Sequence, residues 1–271
     1  MGIKITFEKS SETATLLGAN GFFGNAISAQ LVKDGWKITS SAPLEISAVE
    51  ELKICDFIIN CVGTTDADPD KSYLVNSLFP KNLAKFAQVT NTRLIHFGSS
   101  AEYAPSTSLL TESFPTKISD PYSKSKLVGT EFVRENTTPG RSIVLRPFGV
   151  VQRNPNMTLS NSSNLNKLIS LARTGRLVSV KNLLAVRDLI SIEDVAFCIS
   201  RLMEVEGEWP MIANLASGVG HTVVDIIRAV NPSAEIRGET SILGDTYIGS
   251  PRVIEKLIAY KFPTDISKII N

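Results

Sequence analysis

The chain has 271 residues, 43% of them hydrophobic, and a formal net charge of +1. That is enough apolar residue for one large α/β domain, or a large one with a smaller companion, and nothing in the balanced charge suggests the clustered basic surface that a nucleic-acid binder needs. The three cysteines, Cys55, Cys61 and Cys198, are odd in number and scattered, with Cys55 and Cys61 inside one apolar stretch, so buried thiols in a reducing compartment are expected over a disulfide or metal pair.

In chain order, residues 1–8 lack the apolar core of a signal peptide. No run of ~18 apolar residues follows anywhere, so no membrane span is expected and the cytoplasm is the default location. Residues 13–17 form a short apolar, β-branched run that predicts a buried strand. Gly18-Ala19-Asn20-Gly21-Phe22-Phe23-Gly24 comes directly after it. Residues 22–33 then place Phe23, Ile27 and Leu31 at helical spacing, with Gly35 as the stop. In such a strand–turn–helix the first glycine permits the sharp turn. The second lets backbone approach a pyrophosphate, and the third lets helix and strand pack closely. The phosphates would sit at the helix N-terminus, where free N–H groups and the dipole favour negative charge. The alternative is a Gly-rich turn without a ligand.

Residues 36–39 predict a second strand, ending in Ser40-Ser41 where an Asp or Glu would bond the ribose of NAD and an Arg nearby would accommodate NADP. The serines decide neither, but they would not repel a 2′-phosphate and Lys37 is near in sequence, which favours NADP. Little chain separates Ser41 from the strand around Cys55, so an intervening strand and helix are expected to be short or absent. Asp66, Asp68 and Asp70 alternate as in a calcium loop. The positions that loop reserves for Gly and Glu hold Lys71 and Ser77, so a solvated loop leading into the helix of Asn76 is expected instead.

Residues 93–97 predict another buried strand, in which His96 reads as a satisfied core residue. It ends in Gly98-Ser99-Ser100. Tyr122 and Lys126 lie four apart on a helix predicted after Pro121, over 123–135, and so share one face, with Lys124 toward solvent. An ammonium near a phenol lowers the phenol pKa toward the working pH. A serine hydroxyl at the strand end could bond the same substrate oxygen, which makes Ser99, Tyr122 and Lys126 the candidate proton-transfer set.

Residues 142–148 give one more strand, and the alternation of strand and helix up to about 150 predicts a doubly wound parallel sheet. Residues 151–166 are rich in Asn, Ser and Pro and predict a long loop. A helix over 165–173, a strand over 177–180, and helices over 194–204, 221–230 and part of 250–269 complete the chain. Arg187-Asp188 falls among them. A salt bridge to Asp188, Glu193 or Asp194 could be all that Arg187 does. The two histidines, His96 and His221, are far apart and no Cys cluster occurs, so no metal site is expected.

These strings together resemble the extended short-chain dehydrogenase/reductases, in particular the NAD-dependent epimerase/dehydratase group acting on nucleotide sugars. Gly18-x-x-Gly21-x-x-Gly24 resembles its glycine motif and residues 56–63, through Asn60, Cys61, Val62 and Gly63, its fourth strand. Asn76 matches a helix asparagine, and residues 98–103 the strand carrying the catalytic Ser or Thr. Spacing to Tyr103 selects Ser99 over Ser100. Tyr122-x-x-x-Lys126, Leu145-Arg146-Pro147, residues 186–196 and residues 214–218 resemble further signatures.

The resemblance implies a Rossmann-type α/β fold, with a dinucleotide-binding domain over 1–150 and a small substrate-binding α/β subdomain over 151–271, some elements of which return to the sheet. It implies an NAD(P) cofactor held by residues 18, 20–24, Ser40, Ser41, 60–63, Asn76, Tyr122, Lys126 and Pro147. It places the substrate against Ser100, Glu102, Gly149 and Arg187, with Arg187 on the diphosphate. Ser100 and Ala101 stand where the family's 4,6-dehydratases carry an acidic pair, so dehydration is not expected. Gly149 replaces a substrate-contacting Asn. The expected activity is 4-keto reduction of a nucleotide-linked sugar. A 4-epimerase with retained NAD is the first alternative and a non-catalytic dinucleotide sensor the second. Homodimers through a helix bundle are common in the family.

Overall fold

The computed structural model describes residues 13–41, 49, 51–104, 106–153, 164–240 and 246–270. Six strands form the central sheet: β1 (Thr13–Leu17), β2 (Lys37–Ser41), β3 (Phe57–Asn60), β4 (Arg93–Phe97), β5 (Ser142–Pro147) and a later return strand, β9 (Ile212–Leu215). They lie in the order β2-β1-β3-β4-β5-β9, and every pairing is parallel. Their near-continuous apolar sequences suit a sheet covered on both faces. On one face α1 (Phe22–Lys33), α6 (Ile192–Met203) and α8 (Arg252–Ile258) enclose Leu16, Ile59, Ile95, Leu145 and Leu215. On the other, α3 (Phe79–Thr90) and α4 (Pro121–Glu135) cover Leu17, Ile58, Leu94 and Val144. Chain order reverses between β1 and β3, and ligands of open α/β sheets bind at such a switch point, beyond the strands' C-terminal ends.

Among the described residues no strand lies between Ser41 and Phe57, in line with the short stretch of chain there. The Asp66–Asp70 run leads into α2 (Pro69–Tyr73), whose first amides are capped by the Asp68 carboxylate. Residues Leu74–Leu78 form a π-helical turn before α3, a widening frequent at functional sites. It carries Asn76. The helix of the Tyr/Lys pair begins at Pro121, with Asp120 as N-cap and Ser123 closing a reciprocal capping box.

A second group of strands stands beside the sheet. In it β8 (Val186–Ser191) pairs with β6 (Gly149–Val151), β10 (Gly220–Thr222) and β12 (Thr246–Tyr247). A separate pair joins β7 (Val178–Asn182) and β11 (Ile236–Glu239). Helices α5 (Asn164–Arg173), α7 (Val223–Val230) and α9 (Ile266–Ile270) pack here on Ile169, Leu189, Ile226 and Ile269. His221, expected to open a helix, lies instead in β10. The helix starts at Val223 because Thr222 and Asp225 form its capping box. Most of the predicted 151–166 loop lies outside the described residues. Its ends belong to β6 and α5. No helix among the described residues is long and apolar enough to cross a membrane.

One contact fixes the height of α4. A Cβ at Gly129 would lie 2.1 Å from the Asn76 carbonyl oxygen, so the helix meets the π turn backbone to backbone. Gly129→Ala should therefore destabilise the protein by about 1–3 kcal/mol, as overpacking does, read as a lower urea midpoint at unchanged slope. An unshifted midpoint would show that this contact relaxes freely.

Candidate active site

The glycine turn is built for close approach. Gly18 has φ +76°, a conformation open to glycine, and a Cβ there would lie 3.0 Å from the Cys61 carbonyl carbon and the Val62 nitrogen. A Cβ at Gly24 would lie 2.1 Å from the Gly18 carbonyl oxygen. Gly21 is the N-cap of α1 and no side chain caps the helix there. The first-turn amides thus face the space above β1 beside exposed Asn20, at the positive end of the helix dipole. Phe22 and Phe23 pack edge to face at 5.6 Å, and Phe23 against Phe97 at 4.7 Å, which ties the turn to the end of β4. This cradle, which side chains would fill, fits a pyrophosphate.

Beside it the loop after β3 is shaped from beneath. Asn60 is fully buried. Its Nδ2 donates to His96 Nδ1 at 3.0 Å and its Oδ1 accepts from the Val62 amide at 3.1 Å. Asn76 Oδ1 accepts from the Thr64 amide, while its Nδ2 donates to the Thr64 carbonyl and to Ser125 Oγ. Both amides, expected to hold cofactor, are thus engaged within the protein and set the path of residues 61–64. His96 is buried and held well below its usual pKa by desolvation and then by the Lys126 charge. Among the described residues its Nε2 has no hydrogen-bond partner, so it is a core histidine bonded on one side.

The geometry brings Ser99, Tyr122 and Lys126 together at the C-terminal ends of β3 and β4. Ser99, at 8% exposure, caps a 3₁₀ turn over Ser100–Glu102. Tyr122, in the first turn of α4, lies beside Ser99, whose side chain acts on its phenol. One turn on, Lys126 donates from Nζ to the Phe97 carbonyl at 2.9 Å, and a Cβ at Gly63 would lie 3.3 Å from that Nζ. Burial lowers Lys126 to about 8, against the raising effect of Glu102 and then Cys61. The Tyr122 phenol is raised, first by desolvation, with Ser99 opposing and Glu102 and then Asp120 adding to the rise. This corrects the expectation that Lys126 lowers it: the ammonium is turned to the Phe97 carbonyl, and burial dominates the phenol.

Other expected site residues fall differently. Ser100 is half-buried in the 3₁₀ turn. Glu102 is fully buried and not open to a substrate. Its Oε2 takes Arg146 Nε and Nη2, each at 2.9 Å, and its Oε1 accepts from the Ser99 amide and Thr130 Oγ1. Gly149 does not leave room for a side chain either, since a Cβ would lie 2.6 Å from the Asp188 carbonyl oxygen of β8. Pro147, half-buried, ends β5. Ser40 is exposed at the end of β2, and Ser41 pairs in register with Leu17. Lys37 pairs with Thr13 at the opposite end of the same strands. Four residues of strand, about 13 Å, separate it from Ser41, so it does not support NADP as expected.

Arg187 lies on β8, its guanidinium 5.6 Å over the Tyr247 ring and Nη1 donating to the Val186 carbonyl. Asp188 accepts instead from Ser217, Gly218 and Gly249 and is raised to about 6 by burial. Asp194 takes Arg153 at 2.6 Å. Sequence reasoning passed over Arg146 as a functional residue. Its signal was a charge inside an otherwise apolar strand, which burial obliges to be paired.

Because the folded pKa of Lys126 lies below its ordinary 10.5, the folded state has released a proton between about pH 8 and 10.5 that the unfolded chain still holds. Stability therefore rises with pH in that window and carries the full cost of the buried charge below it. Relative to Lys126→Met, the native protein should gain at most about 3 kcal/mol across the window, measured by urea unfolding. Parallel stability curves would contradict this.

A model of the NAD dependent epimerase/dehydratase family matches residues 14–216. GDP-6-deoxy-D-talose 4-dehydrogenase of Aggregatibacter actinomycetemcomitans is 27% identical over 195 residues, 69% of this chain and 64% of that protein. dTDP-6-deoxy-L-talose 4-dehydrogenase (NAD(P)(+)) of Kitasatospora kifunensis is 25% identical over 243 residues, 78% of this chain and 76% of that one. The match thus spans just under two thirds of the first relative's length. The fold is similar to that of MoeE5 solved with UDP-glucuronic acid and NAD, at TM-score 0.81 and 16% identity over 95% of this chain and 96% of the other.

Proposed function

The chain belongs to the NAD dependent epimerase/dehydratase family, and from that membership we propose that it is an NAD(P)-dependent oxidoreductase acting on the 4-position of a nucleotide-linked sugar, working as a 4-keto reductase. Two relatives named as 4-dehydrogenases of nucleotide-linked 6-deoxytaloses support the position and the substrate class. The observation that carries the chemistry is that Ser99, Tyr122 and the buried Lys126 gather at one place, with Lys126 bonded to the Phe97 carbonyl two residues before Ser99 and the Ser99 side chain acting on the Tyr122 phenol.

The cofactor would lie on the Gly18–Gly24 turn, its phosphates at the α1 N-terminus and its nicotinamide end toward Gly63 and Lys126. When bound it supplies or accepts the hydride at the sugar carbon. Ser99 Oγ orients the carbonyl oxygen and polarises it. Tyr122, whose raised pKa keeps the phenol protonated at neutral pH, donates its proton to that oxygen. Lys126 would hold the nicotinamide ribose and offer positive charge to the phenolate that remains. Arg187, steadied over Tyr247, takes the diphosphate of the substrate. In the reverse direction the same groups remove the hydroxyl proton.

Tyr122→Phe should lower kcat by about 10²–10⁴-fold, the usual worth of a general acid, with dinucleotide affinity within about twofold of native. Steady-state assay with 4-keto nucleotide sugars and a fluorescence titration of NADPH check this. A Tyr122→Phe protein of native turnover would overturn the mechanism.

A further inference from the structure

Glu102 is buried beneath the proton-transfer groups, and none of the chemistry above uses it. We propose that Glu102, clamped by Arg146, is a positioning residue that holds Ser99 against Tyr122 and sets a fixed negative charge beneath both Tyr122 and Lys126. The inference rests on the reading of Ser99, Tyr122 and Lys126 as the proton-transfer set.

Its support begins with where the carboxylate is spent. Oε1 accepts from the Ser99 amide at 2.8 Å and from Thr130 Oγ1 at 3.1 Å, and Oε2 takes two Arg146 nitrogens. The Glu102 amide in turn donates to the Ser99 carbonyl. Ser99 is therefore held from both sides by one residue, in a reciprocal capping box. Thr130 comes from α4, the helix that carries Tyr122 and Lys126, so the carboxylate joins the serine loop to that helix directly. Its place is tight: a Cβ at Gly98 would lie 2.5 Å from Oε1.

A buried ion pair is poor value as a stabiliser, because desolvating two charges costs about as much as they regain. Arg146 is 1% exposed, and its guanidinium also lies 4.5 Å over the Tyr103 ring, whose hydroxyl donates to Asn214 Oδ1. An apolar pair would fill that space at comparable cost, which leaves the Ser99 bond and the charge as what the carboxylate adds. That charge acts on both titrating groups above it. Asp120 and Glu102 face Tyr122. Glu102, Cys61 and His96 face Lys126. Glu102 is the group common to both. It adds to the burial that keeps the phenol protonated, and it opposes the desolvation that lowers the Lys126 pKa.

Glu102→Gln retains an oxygen for the Ser99 amide and removes the charge. Its second position would aim an amide N–H at Arg146, so the double variant Glu102→Gln/Arg146→Gln, which neutralises the pair together, is measured beside it. The readout is the phenolate band in ultraviolet pH-difference spectra, with Tyr122 identified as the component missing from Tyr122→Phe. We expect the Tyr122 phenolate to form at lower pH in the folded variants, by about half a unit or more, with kcat reduced and KM for the nucleotide sugar near native. An unmoved Tyr122 onset in a folded variant would overturn the proposal and reduce Glu102 to a packing role. The spectrum needs no substrate. A native protein that turns over no 4-keto nucleotide sugar would count against the functional reading, while the spectral shift would still judge the role of Glu102.

Discussion

The backbone-to-backbone seating of α4 on the π turn is the constraint from which the site follows. At Gly129 the helix approaches the Asn76 carbonyl more closely than any side chain permits. Ser77 Oγ donates to the Ser125 carbonyl and Asn76 Nδ2 to Ser125 Oγ, which lock the helix against the turn in both rotation and height. With α4 at that height, Lys126 reaches the Phe97 carbonyl at the end of β4, and Tyr122, one turn earlier, reaches Ser99. A helix lifted by the width of a methyl group would separate both contacts. The glycine thus fixes the geometry of the proposed site through packing.

A second theme is the use of buried polar groups to shape loops. Burying a polar group unpaired is costly, so each such group here pins one segment to another. Asn60 fixes the turn at Val62, and Asn76 fixes Thr64. Asp188 gathers the amides of Ser217, Gly218 and Gly249 at the junction of the two strand groups. Glu102 gathers Ser99, Thr130 and Arg146. Together these fix the loops around the proposed site within the protein itself. The chain performs this within a compact frame, since the described residues contain no strand between β2 and β3.

Much of this was legible in the chain because it is local. The glycine spacing after β1, the Tyr122/Lys126 pair on one helix face and the capping residues are properties of adjacent residues, and the α/β alternation predicted the parallel sheet. What escaped depends on contacts far apart in sequence. Lys37 stands beside Ser41 in sequence, but the parallel register puts it at the wrong end of the sheet. Glu102 is expected against the substrate, but Arg146, a residue of another strand, faces it and buries it. Gly149 resembles a vacated substrate contact, whereas it is the backbone of β8 that leaves it no Cβ. His221 followed the helical pattern of its neighbours, and pairing with Arg187 drew it into β10.

The central claim is that the Gly18–Gly24 turn holds a nicotinamide dinucleotide against the Ser99, Tyr122 and Lys126 set. The most direct measurement is to denature the purified protein, identify any dinucleotide released, and titrate the stripped protein calorimetrically with NADPH and NADH, with Gly24→Ala in parallel. The account predicts one site per chain for at least one of them and its loss in folded Gly24→Ala, with retained NAD marking an epimerase-type cycle and exchangeable cofactor a reductase. Binding of neither dinucleotide to folded native protein, or undiminished binding to Gly24→Ala, would contradict it.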